Sequence, residues 1–184
     1  MSGHGAHVAL LRGINVGGKN RLPMNDLATM FKDAGAADVR TYIQSGNVIF
    51  RADAARALRL GAAVGKAMQA ELGWSVPIVV RSAAALGATA KGNPFLAEKV
   101  PLQSLHVGFL LARPDRTRVA ALDPDRSPPD RFVVRGDTLY LHLPNGVART
   151  KLTSQYLDSR LGTVVTVRNW NTVTTLLEMT REKT

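Results

Sequence analysis

The stretch VRTYIQSGNVIFR, residues 39–51, alternates apolar and polar side chains on both sides of Ser45-Gly46. The stretch RFVVRGDTLYLHL, residues 131–143, does the same on both sides of Gly136-Asp137. Alternation with a period of two, interrupted by a two-residue turn, predicts a β-hairpin. The sequence therefore predicts one hairpin in each half of the chain, with strands at Val39–Gln44, Asn47–Arg51, Arg131–Arg135 and Thr138–Leu143.

Each hairpin stands in the same order of elements. A short apolar strand and a helix precede it, and a helix, a strand and a further helix follow it. Strand–helix–strand–strand–helix–strand is the order of a ferredoxin-like unit. We therefore expect an α+β fold of two ferredoxin-like subdomains that arose by structural duplication, with antiparallel sheets and helices packed on one face. The expected domains are residues 1–92 and 104–184, with a linker at 93–103.

The remaining elements follow from apolar runs and from residues that favour helix ends. Pro23 suits the first position of a helix, and either Asn169 or Asn171 caps the last one. The predicted strands are His7–Arg12, Val76–Arg81, His106–Ala112 and Val164–Val167, and the predicted helices are Pro23–Ala34, Asp53–Leu72, Ser82–Ala90, Asp115–Leu122, Thr153–Leu161 and a final helix to about Arg181.

Each hairpin presents one apolar and one polar face. The polar face is basic and carries one tyrosine in each half, Tyr42 and Tyr140. The first strand of each half is apolar on both sides, which is typical of a strand covered on both faces. We therefore expect the polar faces to be at least partly buried and not to form an open platform for RNA bases. The core residues predicted on the apolar faces are Ile43, Phe50, Phe132 and Leu141.

Composition excludes several classes of protein. The 184 residues include no cysteine, which excludes disulfides, Cys-ligated metals and thiol catalysis. The four histidines lack the spacing of metal ligands, so we expect neither a metal nor a cofactor. No apolar run reaches the ~18 residues of a membrane span, and the first residues lack a signal-peptide pattern. The expectation is a soluble, cytoplasmic protein without membrane association, and the sequence predicts no oligomeric state.

The balance of charge points toward anionic partners. Lysine and arginine together number 24 against 14 aspartates and glutamates, which gives a formal net charge of +10. Such a charge favours association with polyanions through the release of counterions. Basic proteins without any such partner are also common, so both interpretations stay open.

A glycine-rich loop follows the first predicted strand. Its sequence GINVGGKN, residues 13–20, approaches a P-loop, but Asn20 stands where Ser or Thr would hold Mg²⁺. Pro23 would also break the helix that a P-loop requires at that position, so NTP hydrolysis is not expected. Two roles stay open: backbone N–H groups near Gly17-Gly18 with basic neighbours bind an anion, or the glycines form only a structural turn.

A second candidate segment is RNWNT, residues 168–172. Capping of a helix by Asn or Thr explains part of this segment without any ligand. Alternatively, a tryptophan between two asparagines stacks on a base or lines a pocket, with Arg168 beside it.

Four segments carry a resemblance to one protein family. They are LLRGINVGGKNR at 10–21, YIQSGNVIF at 42–50, the stretch from Pro144-Asn145-Gly146 to Lys151, and RNWNTV at 168–173. Together they closely resemble the bacterial domain-of-unknown-function family 1697 over nearly the whole chain. Thr150 stands where the resemblance leads us to expect Ser before the lysine, and it keeps the hydroxyl. The resemblance implies two ferredoxin-like subdomains, and it implies no activity, substrate or catalytic residue.

The sequence favours a non-catalytic module that binds a polyanion or nucleic acid, because no catalytic constellation is recognisable. The alternative is an enzyme that acts on a small phosphorylated or carboxylated substrate held between the subdomains. A third interpretation is that the polar sheet faces only bury each other. Nucleic acid is expected along the loop edge near Lys19, Lys151 and Arg168. The candidate anion- or nucleic-acid-binding residues are Arg12, Asn15, Gly17, Gly18, Lys19, Arg21, Gln44, Asn47, Lys151, Arg168, Asn169, Trp170 and Asn171.

Overall fold

The computed structural model describes residues 4–182. They form two compact units, the first of residues 4–87 and 176–182 and the second of residues 88–175. Each unit contains one four-stranded antiparallel sheet with helices. The predicted α+β fold of two similar, ferredoxin-like halves is therefore confirmed. The domain boundaries at residues 92 and 104 stay a prediction.

The first unit is built on a sheet in which every neighbouring pair of strands is antiparallel. Its elements are β1 (Gly5–Leu11), α1 (Met24–Asp33), β2 (Ala37–Tyr42), β3 (Asn47–Ala52), α2 (Ala54–Leu72), β4 (Ile78–Ser82) and the start of α3 (Ala83–Lys91). The strand order is β2-β3-β1-β4. Asp53 and Ser82 cap α2 and α3 as predicted, because their side-chain oxygens accept hydrogen bonds from the N–H groups of Arg56 and Ala85.

The first hairpin differs from the prediction in its turn. Tyr42 pairs with Asn47, so a four-residue loop at 43–46 replaces the predicted two-residue turn. The Asn47 side chain closes this wider loop, since its Nδ2 donates to Tyr42 O at 3.1 Å and to Ser45 Oγ at 3.0 Å. The pairing moves by two residues from the predicted register. Because side chains alternate with a period of two, the paired residues 40–42 and 47–49 still lie on their predicted faces.

One face of the first sheet packs against α1 and α2. Phe50 is fully buried there, and its ring centroid lies 5.4 Å from that of Phe31 on α1. Ile43 was predicted to join this core, but it is 49% exposed in the hairpin loop with φ at 47°. That prediction is wrong because the strand ends before residue 43. Val8 and Leu10 point to the opposite face and are also buried, so β1 is covered on both faces as expected.

The second unit repeats this arrangement. After short 3₁₀ helices at Pro94–Glu98 and Leu102–Ser104 come β5 (Leu105–Leu110), α4 (Arg116–Ala120), β6 (Arg131–Arg135), β7 (Thr138–His142), α5 (Ser154–Leu161), β8 (Val165–Asn169) and the start of α6 (Trp170–Arg181), whose residues from 176 onward belong to the first unit. The strand order is β6-β7-β5-β8. Arg135 pairs with Thr138, which confirms the predicted two-residue turn. Asn169 caps α6, because its Oδ1 accepts a hydrogen bond from Thr172 N–H at 2.8 Å.

The core of the second unit contains Leu141 as predicted, whereas Phe132 is only half-buried. Tyr140 lies on the face predicted to be polar and is 3% exposed. Its hydroxyl donates to the carbonyl of Thr89 at 2.9 Å, and burial raises its pKa. Tyr42 is half-buried in the first unit. The expectation that these faces are at least partly buried is confirmed, and a base cannot stack on a covered Tyr140.

Within residues 4–182, no helix combines the length and the apolar character that crossing a membrane requires. Over the same part of the chain, no three His, Asp or Glu side chains come together as they would in a metal site.

Candidate anion-binding site

Residues 12–22, here called the glycine loop, connect β1 to α1. Asn15 uses its side-chain amide to hold this loop. Its Nδ2 donates to the carbonyls of Leu22 and Gln44, both at 2.9 Å, and its Oδ1 accepts from Leu22 N–H at 2.8 Å. The side chain therefore ties the end of the glycine loop both to its start and to the hairpin loop at 43–46.

Gly17 and Gly18 form the tip of the glycine loop. Their φ angles are 58° and 76°, and Lys19 N–H donates to Val16 O at 3.0 Å. A four-residue turn with positive φ at both central positions is a type I′ turn, for which Gly-Gly is well suited. The glycines are therefore needed for the conformation of the tip.

The backbone N–H groups of the glycine loop are partly used within the loop itself. Lys19 N–H closes the turn, and Asn15 N–H donates to Asn20 O at 3.0 Å. The Asn20 side chain in turn donates to Gly13 O at 2.9 Å. At least two of the N–H groups of residues 13–20 therefore already have partners within the loop and are not available to an anion.

A cavity of about 390 Å³, here called the loop cavity, opens beside the glycine loop. It brings together parts of the glycine loop, the residue before α1 and the hairpin loop. Arg21 is the one charged residue among its described lining residues, and the structure shows no acidic partner for Arg21 or Lys19 within residues 4–182. The lining residues are Asn15, Gly18, Arg21, Leu22, Pro23 and Gln44.

The start of α1 adds a smaller contribution to this cavity. Pro23 occupies the N-cap position and provides no side-chain cap. The N–H groups of Asp26 and Leu27 donate to its carbonyl, both at 3.1 Å. The positive end of the helix dipole favours an anion here, whereas the Asp26 carboxylate in the first turn opposes one. The guanidinium of Arg21 therefore contributes most of the positive charge.

Not every predicted residue of the first unit reaches the loop cavity. Gly17 and Lys19 are exposed outside its lining, and Arg12 is half-buried outside it. Asn47 was also predicted as a binding residue, but it is fully buried and bonded within the hairpin loop. That interpretation of Asn47 is corrected, since no part of its side chain is accessible to a ligand.

The cation predicted at the end of β8 is also inaccessible. Arg168 is 9% exposed, and its Nη1 donates to Val167 O at 3.0 Å. Burial lowers its pKa to about 10, so the guanidinium keeps its proton at neutral pH. Its predicted place on an open binding edge is therefore corrected. Lys151 is exposed, and its backbone N–H donates to Ser127 Oγ at 2.9 Å.

A second cavity, of about 400 Å³, lies in the second unit at the start of α6 and is here called the cap cavity. Three of its lining residues, Asn169, Trp170 and Asn171, were predicted as binding residues. Gln103 was not predicted, because it lies in the segment expected to be a linker, where no motif marked it. The lining residues are Leu102, Gln103, Asn169, Trp170, Asn171 and Thr174.

Comparison with known proteins places the chain in a family. The model of a family described as proteins of unknown function, DUF1697, matches residues 5–140. The chain belongs to the DUF1697 family. No curated protein matches it. A solved structure, that of the conserved bacterial protein SP0830 from Streptococcus pneumoniae, is 20% identical with a TM-score of 0.73 and covers 96% of this chain and 99% of its own.

The DUF1697 match includes both loops that line the loop cavity, from Asn15 to Gln44. The segments around Lys151 and at 168–173, which also carried the resemblance, lie outside the matched residues. At 20% identity the similarity to the streptococcal protein shows the fold alone. The family is one of unknown function, so a ligand for the loop cavity has to be argued from its own residues.

Proposed function

We propose that this DUF1697 protein is a binding module whose first unit holds a phosphate group of a polyanion, such as a nucleic acid, in the loop cavity. The observation that carries the proposal is Arg21, a lining guanidinium without an acidic partner among the described residues. A guanidinium presents several N–H donors in a planar fork, which suits phosphate oxygens. Gln44 lines the same cavity and adds an amide group.

The absence of a side chain at Gly18 supports the same proposal. A Cβ at this position would stand 3.9 Å from the Nη2 atom of Arg21. The guanidinium therefore lies close to the glycine backbone, and a bulky residue at position 18 would narrow the space that a phosphate needs beside it. Lys19 is exposed on the same tip and adds a second positive charge.

The rigidity of the surrounding loops favours binding as well. Asn15, Asn20 and Ile43 all have left-handed backbone conformations, with φ between 47° and 54°. For a β-branched residue such as Ile43 this conformation is a genuine outlier that the surrounding contacts must hold. A site that is held in place before it meets its ligand loses less conformational entropy on binding.

A second candidate function is that of an enzyme acting on a small phosphorylated or carboxylated molecule. The volume of the loop cavity, about 390 Å³, lies in the range of small-molecule sites and favours this candidate. Its described lining residues supply neither a nucleophile nor a general base, however. Binding without catalysis is therefore the function that the site supports better.

The test measures how binding depends on salt. A fluorescent single-stranded oligonucleotide is titrated by anisotropy at several salt concentrations, with inorganic polyphosphate as a competitor. Arg21→Ala and Lys19→Ala should each weaken binding and lower the slope of log K against log salt by roughly one unit. Arg59→Ala and Lys66→Ala remove the same charges from exposed positions of α2 and serve as matched controls.

The outcomes separate the two candidate functions. An unchanged affinity and slope in the Lys19→Ala/Arg21→Ala double variant would leave the glycine loop as a structural turn. Equal losses in the α2 controls would show that only net charge matters and would also refute the site. Turnover of a phosphorylated small molecule, abolished by Arg21→Ala, would favour the enzyme instead.

A further inference from the structure

We propose that the cap cavity of the second unit binds a planar, uncharged heterocycle whose edge carries a hydrogen-bond donor beside an acceptor, as the edges of nucleobases do. This proposal is independent of the loop cavity, because it rests on residues of the second unit alone. It assigns a ligand class to Gln103, Asn169, Trp170 and Asn171.

The lining of the cap cavity favours uncharged ligands. Among its described lining residues none carries a formal charge, whereas three of them carry primary amides. A cation that enters such a cavity loses water without gaining a counter-charge, and an anion meets only the partial positive charge at the start of α6. Neutral amides instead recognise neutral polar groups through directional hydrogen bonds.

The donors of the cavity come from Asn169 and from the start of α6. The Oδ1 atom of Asn169 accepts a hydrogen bond from Thr172 N–H, and its Nδ2 can donate to a ligand. Trp170 and Asn171 occupy the first two positions of α6, where backbone N–H groups have no partner within the helix. These donors suit a ligand carbonyl oxygen.

The acceptors come from the other two amides. Within residues 4–182 the structure shows no hydrogen bond from the side chains of Gln103 and Asn171, although both line the cavity. Their carbonyl oxygens are thus available to accept from a ligand N–H group. Donors and acceptors side by side match a heterocycle edge on which a donor and an acceptor are neighbours, in the way that Asn and Gln read the edge of adenine.

The apolar part of the lining explains why a flat ring fits better than a sugar. Leu102 is 54% exposed and offers an apolar surface, whereas Trp170 is only 7% exposed and forms a fixed wall. Thr174 holds the first turn of α6, since its hydroxyl donates to the carbonyls of Trp170 and Asn171 at 3.2 and 3.0 Å. A nucleobase has polar groups along its edge and apolar faces, which match the amides and the apolar side chains of this lining. A sugar carries hydroxyl groups all around its ring and has no apolar face of that size.

Tryptophan fluorescence tests the proposal directly. The chain has two tryptophans, so the full-length Trp74→Phe variant leaves Trp170 as the reporter. Titration with uridine or guanosine should give a saturable change in emission. Uridine methylated at its ring N–H should bind about tenfold more weakly than uridine, because it lacks the donor of that edge.

Two variants connect the signal to the cavity. Gln103→Ala and Asn171→Ala should each weaken nucleoside binding about three- to tenfold, the effect of one lost hydrogen bond. Gln155→Ala and Asn145→Ala remove exposed amides elsewhere in the second unit and should change nothing. Circular dichroism of each variant establishes that it is folded before its affinity is compared.

Several outcomes would overturn the proposal. They are the lack of a saturable response to either nucleoside, an equal response to glucose, and equal losses in the two control variants. Competition by inorganic polyphosphate would show that the cap cavity takes anions instead. The Lys19→Ala/Arg21→Ala variant should keep its affinity for nucleosides, so failure at the loop cavity and failure at the cap cavity are distinguishable.

Discussion

Replacing Asn15 by alanine should loosen the glycine loop and with it the loop cavity. The change removes three hydrogen bonds, of 2.9, 2.9 and 2.8 Å, that connect position 15 to Leu22 and Gln44. It also places an alanine at φ 54°, a conformation that asparagine tolerates better than most residues. Glycine at the same position removes the hydrogen bonds but adopts this φ without strain.

The loss in free energy of unfolding follows from the hydrogen bonds that are removed and from the left-handed backbone at position 15. Each hydrogen bond contributes about 0.5–1.5 kcal/mol net, and the N–H and C=O of Leu22 would be left in a residue that is only 5% exposed. The left-handed conformation costs alanine roughly a further 1 kcal/mol. Asn15→Ala should therefore lower the free energy of unfolding by about 2–4 kcal/mol, and Asn15→Gly by roughly 1 kcal/mol less.

Urea denaturation measures this loss in a Trp170→Phe background, where Trp74 reports on the first unit because it packs against that unit's core. Amide exchange at Leu22 locates the effect, since its N–H loses the Asn15 acceptor in both variants. A loss below about 0.5 kcal/mol in both variants would show that the side chain does not hold the loop. Equal losses for alanine and glycine would refute the contribution from the left-handed backbone.

Three further predictions concern other parts of the two units. Gly46→Ala should lower the free energy of unfolding of the first unit by about 2–4 kcal/mol, because position 46 has a φ of 78° and a Cβ there would stand 2.8 Å from Leu11 Cβ. An unchanged urea midpoint would contradict this prediction. Tyr140→Phe should lower the free energy of unfolding by about 1 kcal/mol in the same assay, because it removes the hydrogen bond to the Thr89 carbonyl in α3. Its affinity for oligonucleotides should be unchanged, and a tenfold weaker affinity would show that bases stack on this face of the sheet. The pKa of His142 lies below its ordinary 6.5, first because the side chain is buried and second because of the charge of Arg131. As pH falls, the unfolded chain therefore takes up the proton before the folded chain does. The free energy of unfolding should fall as pH drops below about 6.5. His142→Gln should reduce that dependence when urea midpoints are compared on either side of this pH, and an unaltered dependence would exclude His142 as its source.

The order of the elements could be predicted because the signals that set it are local. Apolar periodicity indicated the strands. Asp53 and Thr153 stand at the predicted starts of α2 and α5, and in the structure the side chain of each accepts a capping hydrogen bond. The second hairpin was predicted in its true register because Gly136-Asp137 is sufficient to close it. Such features depend on few residues, all of them close together in the sequence.

The four-residue loop of the first hairpin could not be predicted from its own residues. Ser45-Gly46 is an acceptable two-residue turn by itself, and a β-branched residue such as Ile43 argues against a left-handed conformation. The wider loop exists because the buried amide of Asn47 bonds back to Tyr42, and because Asn15 bonds to the carbonyl of Gln44 from another loop. Contacts across the fold outweigh the local preference, and the sequence does not show them.

The loop cavity contains several of the predicted residues, but the roles of the asparagines could not be predicted. An amide side chain serves a ligand and a backbone carbonyl equally well, so residue type alone could not distinguish the two roles of Asn15 and Asn47. Their partners decide the matter, because both side chains are bonded to the backbone of neighbouring loops. Arg21 and Gln44 line the loop cavity, and their role in binding stays a prediction.

The loop cavity and the cap cavity lie at non-equivalent places of the two similar halves, one beside the loop after β1 and the other at the start of α6. His7 pairs with Ser82 and His106 pairs with Asn169, and both of these partners cap the helix that follows. In each histidine Nδ1 lies near the carbonyl two residues earlier, at 2.9 and 3.3 Å. The strands and caps of the two halves are therefore equivalent in position. The loops after the first strands are not, because β1 continues into the glycine loop whereas β5 continues into LARPD, which contains no glycine. A tip with positive φ at two successive residues cannot form readily there. The strands and caps are repeated while these loops have diverged, so we expect an anion at the loop cavity of the first unit and none at the corresponding loop of the second.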